Sequence, residues 1–451
     1  MPATALTAKV AAQLENGVSS AAELMKALTV SQPTISRTLR TLELDERVLR
    51  MGSTRGARYG LRRNIAAIGS RWPLYRIDEA GVAHELGTLN AIARDGYCVS
   101  AGPQRLRGLF DAVPYYLQDA RPTGFLGRAV PTAYPELGLP PRVTDWTDEH
   151  FLTYLTRRGL DTGGNLVVGI EALNRHLASM HPPNVVSLQN RAAAYPDFAT
   201  ASMDGSPPGS SAQGENPKFT ACIADRTRMT QVIVKFSPPR SSAIGQRWAD
   251  LLLAEHLAHG VLQENGIAAC PSQWLEYGDR VFLECERFDR IGAEGRRGVV
   301  SLLAVDAARY GALDTWTAAA QRLVRDALLS DGDAERIRFL DAFGALISNT
   351  DRHLGNVTLF DHYVGRFEMA PVYDMLPMLF APQDGHLVER PVEATPARAE
   401  WLSVWGRARA LAEAYWDRIS QERRMSTDFQ RLGARCLAVL RAMPRRGASG
   451  A

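Results

Sequence analysis

At 451 residues, 45% hydrophobic and 22% charged, the chain exceeds what one core usually organises, so two or three folded domains are expected and a disordered or fibrous chain is excluded. No uninterrupted apolar run is long enough to span a bilayer, and the first residues lack the charged start, apolar stretch and cleavage site of a secretory signal, so a cytoplasmic protein with no membrane contact is expected. The net charge is only +3, but residues 1–63 carry ten lysines and arginines against five acids, which puts the basic excess at the N-terminus.

Near that end, Val10, Ala11 and Leu14 form an apolar stripe that stops near Gly17. Ser20 is placed to cap a second helix carrying Leu24, Met25 and Leu28, with Glu23 completing a capping box. After a short turn, Gln32 to Leu42 puts Ile35, Leu39 and Leu42 on one face and leaves Gln32, Thr34, Ser36, Arg37 and Arg40 outward, a set of polar side chains and arginines suited to a major groove. Val48–Met51 and Arg58–Leu61 then read as a hairpin with Arg50, Arg55 and Arg58 available for phosphates. The whole resembles a winged helix-turn-helix domain that binds DNA; a dimerisation or docking domain with a solvated basic face is the alternative.

From Trp72 to about Ala201, short apolar runs alternate with turns and carry no chemistry of their own; Arg121 and Arg128 either touch a substrate or, as such residues more often do, anchor the surface and its loops. The five cysteines, Cys98, Cys222, Cys270, Cys285 and Cys436, are odd in number and scattered, so free thiols are expected. No His or Cys spacing supports structural zinc, and any metal is expected to be magnesium.

Met203 to Pro217 is dense in Gly, Ser and Pro and opens onto a strand from Lys218. Such a loop can cover nucleotide phosphates with its backbone amides, with Ser210, Ser211 and Gln213 among its residues. Lys235 follows the β-branched residues Val232-Ile-Val234 in the run Gln231–Ser237, where an ammonium suits a phosphate; an edge-strand charge that discourages aggregation is the alternative. Arg247 to Val261 reads as a helix on which Glu255 either pairs with Lys235 or stands solvated. Val281 to Glu286 reads as a strand running into a hinge at Glu286, Arg287 and Phe288, where backbone groups can bond an adenine ring.

An apolar helical segment, Phe339 to Ile347, delivers the chain into Asn349-Thr-Asp351-Arg-His353-Leu-Gly-Asn356, with Asp374 eighteen residues beyond Asn356. This is the carboxylate and amide set that phosphoryl transfer uses: Asp351 to take or orient the proton of an attacking hydroxyl, Asn356 and Asp374 to offer oxygens to magnesium, and His353 to hold the loop, with a general-base role as its alternative. Asn349 and Arg352 either touch phosphate or brace the turn.

On these pieces, residues from about 200 to 440 resemble the HipA-type serine/threonine kinases, the toxins of bacterial toxin-antitoxin pairs. The matching segments are Gly209 to Phe219, Ile233-Val-Lys235, Leu251-Leu-Leu-Ala254, Glu286 to Arg290, Asn349 to Asn356 and Pro371-Val-Tyr-Asp374. The fused N-terminal segment narrows the resemblance to the branch called YjjJ or HipH. It implies ATP and Mg2+ as cofactors, Asp351 as catalytic aspartate, Asn356 and Asp374 as metal ligands, Lys235 on the phosphates, Glu286 to Phe288 at the adenine, a protein serine or threonine as acceptor, and a HipB-like antitoxin whose DNA-binding part the fused segment can replace. Two positions depart from the pattern: Arg247 stands where the family has a glutamate, and Pro208 lies nearest to the family's autophosphorylated serine, leaving Ser206, Ser210 or Ser211 to substitute.

The expected architecture is α+β, with a winged helix at 1–63, a HipA-like N-terminal subdomain at 64–200, a kinase N-lobe at 201–295 and a mainly helical C-lobe at 296–451. The rival readings are a small-molecule kinase and a DNA-binding transcription regulator whose kinase fold senses ATP.

Overall fold

A computed structural model describes residues 3–52, 56–94, 96–179, 184–204, 216–226, 228–393 and 395–444. It is a mixed α/β structure in which each layer has its own core.

The first layer consists of the helices Ala3–Leu14, Ala21–Leu28 and Gln32–Leu44, followed by the strands Val48–Met51 and Arg58–Leu61. Ser19–Ser20 adds a third strand on the open side of Arg58–Leu61. Apolar residues at helical spacing (Leu6, Val10, Leu14; Ile35, Leu39, Leu42) meet Leu24 and Val48 in one core. The Ser20 capping box forms as expected: the Ser20 hydroxyl accepts from the Glu23 N–H at 3.2 Å, and the Ser20 N–H donates to Glu23 Oε2 at 2.6 Å. Pro33 sits in the first turn of the third helix, where its missing N–H has no partner to lose.

The stretch from Trp72 onward folds into a five-stranded antiparallel sheet ordered Gly108–Phe110, Gly96–Ser100, Ala83–Ile92, Arg71–Ile77, Leu166–Val168. Trp72, Leu74, Leu89 and Tyr97 pack against Phe151, Leu152 and Leu155 of the Asp148–Arg158 helix. Tyr363, far away in sequence, inserts into the same core and donates its hydroxyl to Asn165.

A second five-stranded sheet runs Ser272–Tyr277, Arg280–Glu286, Arg228–Phe236, Lys218–Asp225, Val185–Ser187. The strand Val185–Ser187 and the helix Arg191–Met203 belong to this layer, since Val186, Tyr195 and Ala199 share its core with Phe219, Val234 and Phe282. The expected boundary at residue 200 therefore falls inside the layer, and the core changes before Val185. Ala243–Glu264 crosses the other face, laying Ala249 and Leu252 on Val281 and Leu283. The helices Leu302–Arg309, Trp316–Arg325, Asp331–Leu346, Leu402–Gln421 and Thr427–Ala442 build the largest core around Phe343, Trp401, Tyr415 and Trp416. Among the described residues no helix is long and apolar enough to cross a membrane, and all five cysteines are free and buried.

Candidate functional site

Lys235 lies near the end of a central strand, and the helix Ala243–Glu264 brings Glu255 up to it. Both carboxylate oxygens of Glu255 accept from the Lys235 ammonium, at 2.6 and 2.7 Å, and Asp374 Oδ1 accepts a third bond. Glu255 is fully buried, so the pairing is realised and the solvated alternative is not. Arg247, where the family pattern has glutamate, turns away and donates to the Phe380 carbonyl at 2.8 Å. Burial pulls the Lys235 ammonium toward neutrality, but Asp374 and Glu255 outweigh it and hold the proton more firmly than in water.

Lys218 pairs directly across the ladder with Lys235, which puts both side chains on one face of the sheet. It is 3% exposed. Burial opposes ionisation of Asp374, yet Lys235 and then Lys218 keep its carboxyl below the ordinary aspartate range. Asp374 adopts a positive φ of 54°, a left-handed conformation that asparagine and aspartate tolerate better than most residues.

The loop from Asn349 to Asn356 follows the Asp331–Leu346 helix and is braced from behind. Asn349, 1% exposed, accepts from the Asp351 N–H at 3.0 Å and donates to the Asp374 carbonyl at 3.1 Å, tying the two acidic positions together. Arg352 bonds Asp341 at 3.3 Å and the Asn349 carbonyl, so both residues brace the turn. Its chain packs over Gly344, where a Cβ would lie 2.6 Å from Arg352 Cδ. His353 Nδ1 accepts from the Gly355 N–H at 3.1 Å, and Nε2 lies 3.8 Å from Asp351 Oδ1.

The Asp351 side chain is 54% exposed. Burial of its inner part, with Asp374 adding to it and His353 opposing, raises its carboxyl above the usual range. Asn356 is buried and spends its amide N–H on the Asp351 carbonyl at 2.8 Å, which leaves its side-chain oxygen for another partner. An amide oxygen and a carboxylate lining one cavity are a donor set that fits a hard divalent cation.

That cavity, of about 170 Å3, is lined by Lys235, Glu255, Glu286, Arg287, Phe288, Asn356 and Asp374, among others. The structure thus gathers the expected hinge, lysine and metal-ligand positions at one place, with Asp351 beside it on the same loop. At the hinge, where the expectation concerns backbone groups, two of the side chains are engaged with other residues. Glu286 turns outward to Arg228 at 3.1 Å, and Arg287 is buried on Asp289 and Asp161, at 2.9 and 3.2 Å. The Glu286 and Arg287 N–H groups bond the Pro271 and Gln231 carbonyls, each at 2.9 Å, because the sheet continues through them. Phe288 rests on Tyr373, and its N–H has no partner among the described residues, so it is the hinge donor left open.

Asp119, Gly163, Val299, Ser301 and Thr358, which line the cavity, were given no role by sequence reasoning, nor was Lys218 beside Lys235. The mark of Lys218 is a lysine opening an apolar strand right after the glycine-rich loop. Asp119 and Gly163 come from the stretch that showed no chemistry, and nothing local marks them. Ser210, Ser211 and Gln213 lie outside the described residues.

At the N-terminal layer, Gln32, Ser36, Arg37 and Arg40 are exposed along the third helix. Thr34 is half-buried, and its hydroxyl bonds Ser31 at 2.9 Å. Arg50 is exposed on the hairpin. Arg58 is partly committed, donating to the Val18 carbonyl at 2.8 Å and lying 3.9 Å from Glu23. Arg55 lies outside the described residues. Arg121 proves an anchor, bonded to Asp148 and stacked over Phe151.

Residues 68–177 match the family described as YjjJ-like toxin, middle domain, and residues 210–439 match the HipA-like C-terminal domain. The chain is 35% identical over 424 residues to Toxin YjjJ of Escherichia coli (strain K12), which covers 93% of this chain and 94% of that protein. Among solved structures, the Shewanella oneidensis MR-1 toxin-antitoxin complex of HipA, HipB and operator DNA aligns with a TM-score of 0.53 at 15% identity, over 82% of this chain and 95% of that one. At that identity the likeness is one of fold. The Helicobacter pylori proinflammatory kinase CtkA aligns with a TM-score of 0.35 at 12% identity, over 50% of this chain and 87% of that one, too slight a likeness to argue from.

Proposed function

This chain belongs to the HipA-type family, in its YjjJ-like branch, and we propose that it is an ATP- and Mg2+-dependent protein kinase that phosphorylates a serine or threonine hydroxyl of another protein. The observation that carries the proposal is the meeting of Lys235, Asn356 and Asp374 in one cavity with Asp351 on the adjoining loop.

In this reading Lys235 and Lys218 face the nucleotide phosphates and Phe288 offers its N–H to the base. Asn356 and Asp374 hold Mg2+, which neutralises charge on the transferring phosphoryl group. Asp351, half in solvent, takes the proton of the incoming hydroxyl, while Asn349 and His353 keep its loop in place. Such chemistry is mostly positioning, which is what the bracing behind Asp351 supplies.

The three N-terminal helices and hairpin act as a winged helix that binds DNA through Gln32, Ser36, Arg37 and Arg40, with Arg50 on the backbone. The related solved complex contains HipB and operator DNA; here a HipB-like antitoxin is proposed as a partner, and the fused layer supplies DNA contact from within the chain. The kinase is proposed to act in the cytoplasm, as a toxin.

The test is transfer of labelled γ-phosphate from ATP with magnesium, by wild type and by Asp351→Ala, alone and in cell lysate. Label on a protein band, absent with the variant, is the expected result. Measurable ATP binding with no transfer from either protein would replace this reading with that of an ATP-sensing regulator.

A further inference from the structure

Glu255 and His259 stand four residues apart on the Ala243–Glu264 helix, so their side chains lie one above the other on its face toward the sheet. Opposite them, Cys285 pairs directly across the ladder with Ser272, which puts both side chains on one face of that sheet. One carboxylate oxygen of Glu255, one ring nitrogen of His259 and the Cys285 sulfur all lie within 4.8 Å of one another, and all three residues are buried. Cys285 joins the helix pair only through the fold, which is why no zinc spacing shows in the sequence.

The imidazole is oriented for ligation. Ser272 Oγ lies 3.0 Å from His256 Nδ1 and 3.2 Å from His259 Nδ1, and one hydroxyl serves both rings by donating to the first and accepting from the second. With its proton on Nδ1, His259 presents a bare lone pair at Nε2. That atom is buried with no hydrogen-bond partner among the described residues, in a side chain 1% exposed, and it lies 3.8 Å from Glu255 Oε1. Burial keeps the ring neutral, which is the form that binds metal. Thiolate, imidazole and carboxylate together suit zinc, whereas harder Mg2+ prefers oxygen. Ligand atoms of a tetrahedral zinc site stand roughly 3.5 Å apart, so these three need to close in by about an ångström at most. The nucleotide cavity reaches Glu255 and Cys285, which gives an ion its entry and a water the fourth position.

We propose that Glu255, His259 and Cys285 form a Zn2+ site. On binding, the Cys285 sulfur exchanges its proton for the metal and the proton passes to solvent. The carboxylate that clasps Lys235 then serves the ion instead. Resting on the kinase reading, zinc in this site inhibits phosphotransfer by taking Glu255 from Lys235.

The test uses the full chain without nucleotide. Co2+, a coloured substitute for Zn2+, should give the near-ultraviolet absorption of a cobalt–thiolate bond in wild type, and added Zn2+ should erase it. The band should be lost in Cys285→Ser and kept in Cys436→Ser, whose cysteine is buried in another core. An outer partner of a metal-bound histidine is worth about 10- to 100-fold in affinity, so Ser272→Ala should keep the band but bind Zn2+ at least about tenfold more weakly. His259→Gln should bind it more weakly still. With Mg2+ in excess, wild-type phosphotransfer should be lost on adding equimolar Zn2+ and return with a chelator, while Cys285→Ser keeps the rate it has without zinc. Absence of the cobalt band in wild type, or its survival in Cys285→Ser, would overturn the site and leave the kinase reading standing; the wild-type spectrum decides this even where a variant does not fold. A band with phosphotransfer undiminished by Zn2+ would overturn the inhibition. A band in a protein that transfers no phosphate without zinc would remove the kinase reading and leave the metal site.

Discussion

Glu255 grips the ammonium of Lys235 with both of its oxygens, at 2.6 and 2.7 Å, in a place closed to water. Removing one partner of a buried pair leaves a charge that the interior cannot solvate, at a cost of about 3–5 kcal/mol. Asp374 still neutralises Lys235, so Glu255→Ala is expected near the low end, about 3 kcal/mol by denaturant unfolding. The double variant Lys235→Met with Glu255→Leu should recover much of the loss while abolishing phosphotransfer. Equal stability of wild type and Glu255→Ala would mean that the pair is solvated.

Asp351→Asn separates chemistry from folding. The side chain is exposed, so the melting temperature should stay within a degree or so, while phosphotransfer falls by about 10^2 to 10^4-fold, the usual contribution of a positioned acid or base. The raised carboxyl also sets a pH dependence, because the base must be ionised. Activity is expected to fall with acidification at a higher pH than an ordinary aspartate would give. A pH profile unchanged between wild type and a slow Asp351→Asn enzyme would count against the assignment.

Burial, helped by the nearby Lys235 charge, lowers His259 from 6.5 to about 3. Unfolded, the imidazole binds a proton below pH 6.5; folded, it does so only near pH 3. Stability is therefore complete above pH 6.5 and declines as pH falls from there toward 3, with a limiting slope of about 1.4 kcal/mol per pH unit. Unfolding measured at pH 7.5 and pH 5 should show about 2 kcal/mol less dependence on pH in His259→Gln than in wild type. Parallel curves for the two proteins would show that His259 is already accessible in the native state.

Arg287 lines the cavity at the hinge, and its guanidinium is buried with Asp289, Asp161 and Arg290 in a network joining the middle layer to the hinge. Arg287→Ala should cost about 3 kcal/mol or more of stability. Below its melting temperature the variant should bind ATP within about threefold of wild type, since no direct contact is lost. A selective collapse of ATP affinity without loss of stability would restore the guanidinium to the site.

For the N-terminal layer the informative quantity is salt dependence. Binding of the full chain to a random-sequence duplex should weaken with salt, and each phosphate contact removed should lower the log-log slope by about 0.9. Arg37→Ala and Arg40→Ala are expected to do this. Arg58→Ala should change the slope less, because that guanidinium already serves the Val18 carbonyl. Slopes identical in all four proteins would turn the layer into a docking module.

What the sequence by itself determined is local. The Ser20 capping box, the stripe of Ile35, Leu39 and Leu42, the strand ending at Lys235 and the Asp351 to Asn356 loop were all legible, because capping, periodicity and turn chemistry act between residues a few positions apart. The structure decided what depends on distant neighbours. Whether Glu255 was paired or solvated turned on how the Ala243–Glu264 helix lies across the sheet, and the roles of Glu286 and Arg287 on sheet bonds and a buried ion network. Asp119 could not be read at all: an aspartate after a four-residue helix is an ordinary surface residue until folding brings Ser301, 182 positions away, against it. Burial and charge neighbours are properties of the packed chain, and they separate a carboxylate in solvent from one held in the wall of a cavity.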